Sequence, residues 1–224
     1  MSAVDAMEVP KEPGPVHLVG TLTLAGLLSG VLLTTAYLWT LPQIEANRAA
    51  ALRAAVFQVV PGTASMQKLV LRGDQFALAD GSERPTDIAI YATYDEAGKH
   101  LGYAIPSAGP GFADTISLIY GYDPVQRCVV GMQILESRET PGLGDKIFKD
   151  PKFGAEFQKL AVEPAIVVVK NGAGTKPNEV DGITGATISS KAVVKIVNAG
   201  NEIALAKLPA AERVPPAPRK EGGR

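Results

Sequence analysis

Residues 18–41 read LVGTLTLAGLLSGVLLTTAYLWTL and contain no charge over 24 positions. As an α-helix rising about 1.5 Å per residue, this stretch crosses the roughly 30 Å hydrocarbon core of a bilayer. It constrains the chain more than any other feature, because whatever folds after it is tethered to a membrane. A cleaved secretory signal has an apolar region of only about 7 to 15 residues, and no small-x-small cleavage site follows this one. Tyr37 and Trp39 suit the headgroup region and Pro42 follows directly, so this end reads as the C-terminal membrane boundary. Charge does not settle the orientation: Lys11 stands with Asp5, Glu8 and Glu12 before the span, and Arg48 and Arg53 with Glu45 after it. A single span ahead of a long domain fits a signal anchor, and a single cysteine fits an oxidising compartment; both lean toward an exported domain.

The 224 residues leave room for one domain beyond the anchor. Twenty-two Lys and Arg against 23 Asp and Glu give a net charge of −1, too little to draw the protein onto a polyanion, which argues against nucleic-acid binding. One cysteine, Cys128, excludes an internal disulfide and any multi-cysteine zinc or iron–sulfur site. His17, at the membrane edge, and His100, beside a turn, are expected to be solvated, and no metal site is expected. Cys128 is expected to be buried and inert. Redox chemistry must therefore come from a bound organic cofactor.

Between residues 44 and 60, Leu52, Val56, Phe57 and Val60 recur at helical spacing, predicting an amphipathic stalk helix that ends at Pro61 and Gly62. Strand signals start at Ile88: residues 88–94 and 101–105 flank a turn at 95–98, and residues 116–122 and 128–135 flank a turn at Asp123 and Pro124. Residues 148–160 read as a short helix, 165–169 as a buried strand, and 188–208 as a longer helix carrying Val193, Val194, Ile196, Val197 and Ile203. The fold class is α+β. After Leu208 the sequence turns to Pro, Arg, Lys and Gly, which predicts a disordered tail with nothing to bury.

Two segments concentrate glycines and hydroxyls between periodic elements: ETPGLGD at 139–145 and DGITGATISSK at 181–191. In the second, Thr184, Gly185, Ala186 and Thr187 lead straight into a helix, where free backbone N–H groups and the helix dipole stabilise a phosphate. Gly185 and Ala186 leave the Thr187 hydroxyl open to another molecule, and Lys191 one turn later supplies positive charge. The plain alternative is a capped helix behind a glycine turn. No G-x-x-x-x-G-K-[ST] occurs, so ATP hydrolysis is unsupported.

DGITGAT at 181–187 resembles the D-x-x-[ST]-G-A-T signature on which a dedicated flavin transferase attaches FMN through a phosphoester to the final threonine, and ETPGLG at 139–144 resembles the second hallmark of the same FMN-binding domain. Together with the single span, the stalk and the hairpin, residues 15–208 resemble the G subunits of Rnf-type ion-pumping ferredoxin:NAD oxidoreductases, relatives of the C subunits of sodium-pumping NADH:quinone reductases. The resemblance implies an N-terminal tail at 1–17, a transmembrane helix at 18–41, a stalk at 43–62, an antiparallel-sheet FMN-binding domain with flanking helices at 63–208 and a tail at 209–224. It implies Thr187 as the FMN acceptor, Asp181 as part of transferase recognition, Ser189, Ser190 and Lys191 near the phosphate, and Glu139, Thr140, Gly142, Leu143 and Gly144 as a loop against the isoalloxazine ring. Thr184, Gly185 and Ala186 complete the cofactor-binding set. Leu143 reads equally as plain packing, Gly142 and Gly144 as plain turn glycines, and Asp181 as an ordinary turn aspartate.

The implied role is an electron relay in the bacterial inner membrane, with the soluble domain on the periplasmic side. Its implied partners are the other membrane and peripheral subunits of the complex and the flavin transferase. The apolar span holds no charge that could carry an ion, so pumping would belong to those partners. Two other readings stay open at this point: a free-standing flavinylated carrier or reductase, and a non-redox membrane-tethered assembly protein.

Overall fold

The structure, a computed structural model, describes residues 14–84, 86–170, 172–209 and 214–218. It divides into two compact units, one reaching to Ala49 and one beginning at Ala50.

Helix α1 runs unbroken over Pro15–Val59. Its apolar N-terminal part shows Leu28, Leu33 and Trp39 to solvent, which is the state of a helix whose partner is lipid. Among the described residues it is the one helix long and apolar enough to cross a membrane. Pro42 lies inside this helix. Proline removes one backbone hydrogen bond, and the flanking Leu, Glu, Asn and Ala residues sustain the helix on both sides of it. The anchor and the stalk are therefore one element.

The second unit is built on a seven-stranded antiparallel sheet in the order β2-β1-β3-β4-β5-β6-β7. The strands are β1 Ser65–Arg72, β2 Gln75–Leu78, β3 Ala89–Tyr94, β4 His100–Pro110, β5 Thr115–Asp123, β6 Cys128–Glu136 and β7 Leu160–Ala161. β-Structure thus begins some twenty residues before Ile88, with a hairpin whose turn is Gly73 and Asp74 and whose closing pair is Arg72 and Gln75. The strand period of two sorts side chains to the two faces. Tyr103, Ile105, Leu118 and Tyr120 face helix α4, Thr187–Ala204, meeting Val193, Ile196 and Val197. Ala104 and Ile119, between them in sequence, face the C-terminal turns of α1 at Ala55, Val56, Val59 and Val60. The paired glycines Gly121 and Gly131 let that helix end approach the sheet: a Cβ on Gly131 would sit 2.8 Å from the Val59 carbonyl, and one on Gly121 would collide with it.

The helix expected over 148–160 is two short helices, α2 Lys146–Lys149 and α3 Pro151–Ala155. Pro151 stops the first and starts the second, with the Asp150 carboxylate accepting from the Lys152 N–H at 3.0 Å as its cap. The expected buried strand over 165–169 is β8 Val167–Val169, and it is only partly buried. Ile166 is inside but Val167 is exposed, and the strand pairs in parallel with β9 Glu179–Asp181 alone. Helix α4 closes at Ala204, and a single 3₁₀ turn, Leu205–Lys207, follows. Of the tail expected to bury nothing, residues 214–218 lie against the domain. Val214 and Ala217 pack on the main core, and the Tyr94 hydroxyl donates to the Pro215 carbonyl at 2.6 Å, so the prolines supply apolar surface and a free carbonyl.

Candidate functional site

The two glycine-rich loops meet. Between β6 and α2, the carbonyl of Thr140 accepts from the N–H of Leu143 at 3.1 Å, and Gly142 turns the chain at φ +78°. Between β9 and α4, the Ala186 N–H donates to the Ile183 carbonyl at 2.9 Å, and Gly185 turns the chain at φ +84°. Together they enclose a pocket of about 330 Å³, within the range of about 300 to 1,000 Å³ common for small-molecule sites. Thr140, Leu143, Gly144, Gly185, Ala186, Thr187 and Ser189 line it, joined by Phe112 and Ile188. Phe112, Leu143 and Ile188 are all more than half exposed, at 64%, 53% and 59%. Apolar side chains held open around a pocket offer walls to a flat aromatic ligand.

Glu139 is buried and is not among the residues that line this pocket. The residue is 5% exposed; one carboxylate oxygen accepts from the N–H groups of Phe112 at 2.8 Å and Ala113 at 3.0 Å, and the other from the Ser189 hydroxyl at 2.6 Å. Burial alone would raise its pKa, but these donors outweigh burial and hold the carboxyl below its ordinary value, so the group is ionised. One buried anion thereby ties the 111–114 loop to the start of α4. Gly144 belongs to the same contact: any Cβ there would run into the Glu139 carboxylate and stand 2.8 Å from Ser189 Oγ. Gly142, in contrast, has open space at its Cβ position and is required for its positive φ.

Thr187 is the first residue of α4 and is not its cap. The cap position is Ala186, whose methyl cannot bond the first-turn N–H groups. The Thr187 side chain is exposed, and the one hydrogen bond of its hydroxyl among the described residues, to the Ile183 carbonyl, is long at 3.5 Å. A hydroxyl is thus held at the pocket wall with only a long internal hydrogen bond. Thr184 is exposed in the preceding turn.

Of the remaining expected phosphate partners, Ser189 lines the pocket and Ser190 and Lys191 do not. Ser190 is fully buried, accepts from the Ile183 N–H at 3.1 Å and donates to the Ala186 carbonyl at 3.0 Å, so it braces the turn from inside. Ser189 is committed to Glu139. Lys191 lines a separate groove beside Val167 and Lys195. Asp181 accepts from the N–H groups of Gly172 and Gly174, each at 2.9 Å, and organises the loop that precedes β9.

Three residues of the site carry weak sequence signals. Phe112 sits in the Gly/Pro-rich turn after β4, Ile188 stands between two hydroxyl residues, and Lys146 follows ETPGLGD directly. The Lys146 ammonium lies 3.5 Å from where a Cβ on Gly185 would be. Asp145 next to it is buried and bonded to Lys149 at 2.6 Å, which holds its carboxyl below the usual range, with the Lys146 charge a smaller contributor. His100 differs from expectation: it is half-buried between the rings of Tyr94 and Tyr103, at centroid distances of 5.6 and 4.7 Å, and burial lowers its pKa. Cys128 is buried on β6, and burial raises its thiol pKa.

Residues 111–202 match the family model of the FMN-binding domain, a span that contains both loops and every residue lining the pocket. The chain is 31% identical to the G subunit of the proton-translocating ferredoxin:NAD(+) oxidoreductase complex of Clostridium ljungdahlii, over 78% of this chain and 83% of that one. It is 34% identical to the G subunit of the ion-translocating oxidoreductase complex of Aliivibrio fischeri, over 79% and 83%. Its fold is shared with the crystal structure of Shewanella oneidensis NqrC at a TM-score of 0.57 and 18% identity, covering 72% of this chain and 94% of that one. A membrane anchor, a two-loop pocket within a matched FMN-binding domain, and relatives at this identity across most of their length place the chain plainly: it belongs to the family of G subunits of ion-translocating oxidoreductase complexes.

Proposed function

We propose that this chain is the membrane-anchored flavin carrier of an ion-translocating ferredoxin:NAD oxidoreductase complex, and that Thr187 holds its FMN through a phosphoester. The observation that carries this reading is the pocket wall itself, where the exposed Thr187 stands between a positive-φ glycine and an uncapped helix start. FMN, when bound, supplies one- and two-electron transfer. Everything else is the work of the chain. Phe112, Leu143 and Ile188 provide the apolar walls, the Glu139 bonds fix the distance between the two loops, and the free N–H groups of α4 favour an anion at Thr187.

Attachment needs a flavin transferase and FAD. The Thr187 Oγ forms a bond to phosphorus, the phosphoanhydride bond of FAD breaks, AMP leaves, and a base on the transferase takes the hydroxyl proton. Gly185 and Ala186, with little or no side chain, leave that approach open. The chain is the substrate of this step, and its partners in the complex carry out ion movement. The soluble domain lies outside the cytoplasm, where a covalent link keeps the cofactor regardless of free flavin concentration; protease accessibility of residues 50–224 in intact cells against inverted vesicles tests this.

Intact-protein mass spectrometry of the chain from its native membrane, beside Thr187→Ala, tests the attachment. An added mass of FMN minus water on the native chain and none on the variant is the expected result. An unmodified native chain overturns it.

A further inference from the structure

We propose that Lys146 is the cation that faces the phosphodiester on Thr187, in place of the Ser189, Ser190 and Lys191 set that the sequence suggests. This rests on attachment at Thr187. A phosphodiester carries one negative charge at neutral pH, and the ionised Glu139 lies on the far side of Ser189, so the site needs a positive charge close by. Neither serine can answer it. The Ser189 hydroxyl donates to Glu139 at 2.6 Å, and the Ser190 hydroxyl donates inward to Ala186. Lys191 is one helical turn further along α4, in the groove beside β8.

Lys146 has the position and the freedom. It is half-buried at the start of α2, with its ammonium 3.5 Å from the Cβ position of Gly185, two residues before Thr187. Two residues of chain span at most about 7 Å, a distance that a lysine stem covers by rotation. Its neighbour Asp145 is taken by Lys149 at 2.6 Å, and among the described residues Lys146 forms no ion pair. A half-buried ammonium with no carboxylate in contact, aimed at a glycine beside the acceptor threonine, has an anion as its natural complement. Gly185 adopts φ +84°, and the Lys146 ammonium stands at ordinary contact distance from the position a Cβ would take there.

The test uses the full-length chain in membranes with its transferase at limiting level, comparing wild type, Lys146→Gln, Lys146→Arg and Thr187→Ala. The FMN-bearing fraction is followed over time by intact mass at low and high salt. Loss of a charge-assisted contact slows incorporation into Lys146→Gln by about tenfold, Lys146→Arg restores most of the rate, and high salt narrows the gap. In the loaded protein, the phosphorus-31 resonance of the phosphodiester moves in Lys146→Gln, a change that a merely structural lysine would not produce. Lys146→Met, of similar length and uncharged, repeats the comparison should the glutamine variant fold poorly by thermal melting. Incorporation at the wild-type rate with an unmoved resonance in Lys146→Gln, while Thr187→Ala stays free of FMN, overturns the Lys146 assignment and leaves attachment intact. FMN on Thr187→Ala overturns attachment at Thr187 and the Lys146 assignment with it.

Discussion

Removing the Glu139 side chain is the most informative perturbation of this fold. Three donors converge on its carboxylate: Phe112 N–H at 2.8 Å, Ala113 N–H at 3.0 Å and Ser189 Oγ at 2.6 Å. In Glu139→Ala all three lose their acceptor. At about 1 to 3 kcal/mol for each of the two backbone donors, and with Ser189 free to turn its hydroxyl elsewhere, the cost is about 2 to 6 kcal/mol. Glu139→Gln keeps one acceptor oxygen for the two backbone donors and loses only the ionic strengthening, about 1 to 2 kcal/mol. Urea unfolding of the full chain in detergent, read through the aromatic fluorescence of the domain, gives both values. A double-mutant cycle with Ser189→Ala isolates the 2.6 Å bond at about 1.5 to 3 kcal/mol of coupling. The pH dependence adds a second check. Because the folded-state pKa of Glu139 lies below its ordinary 4.5, its stabilisation is fully present above pH 4.5 and is lost as pH falls through the folded value. Glu139→Gln lacks that acid-side loss. A Glu139→Ala cost under about 1 kcal/mol, or a coupling of zero, would refute the reading of this carboxylate as the tie between the two loops.

Thr187→Ala leaves stability within about 0.5 kcal/mol of wild type, because the hydroxyl makes only a 3.5 Å internal contact and the helix is not capped by it; thermal melting of the flavin-free forms checks this. Gly144→Ala costs about 1 to 3 kcal/mol through overpacking against Glu139 and Ser189, while Gly142→Ala costs about 1 kcal/mol through its backbone alone, and the same melts rank the two. His100 has a folded-state pKa below its ordinary 6.5, so the unfolded chain binds the proton first. Stability therefore falls as pH drops below about 6.5, and His100→Phe removes that part of the pH profile.

Much of the architecture is readable from residue order because it rests on local signals. The uncharged run at 18–41, the alternating β-branched and aromatic strands around Asp95 and Asp123, and the apolar stripe of α4 each announce themselves. The first hairpin is harder to read. Gln67 and Lys68 interrupt its apolar pattern and β2 is only four residues long, although Gly73 and Asp74 form the two-residue turn that could have revealed it. Pro151 could likewise have divided the 148–160 helix, since a proline there suits a first helical turn and not an interior.

The site divides along the same line between local and tertiary information. Thr187, Gly185 and the ETPGLG turn are visible because turn and helix-start chemistry is local, and the two loops do meet at one pocket. Which side chain meets which is decided by packing. Thr187 and Lys191 are four residues apart and share a helical face, so the sequence suggests a common partner. Four residues advance a helix axis by about 6 Å, however, and the pocket is bounded by residues 185–189 at the first turn of α4 and does not reach Lys191. The lysine one turn in is therefore carried past the pocket to β8, while Lys146, forty-one positions before Thr187, is brought to it by the docking of α2. The same logic explains Glu139. A glutamate beside a glycine turn suggests ligand contact, but Gly144 has no side chain to fill the space behind the loop, and the carboxylate fills it. The chain thus uses one acidic residue to assemble the pocket and a distant basic one to set its charge. Substitutions at these two positions should separate accordingly, with Glu139 variants losing stability before the flavin site is loaded and Lys146 variants losing loading at unchanged stability.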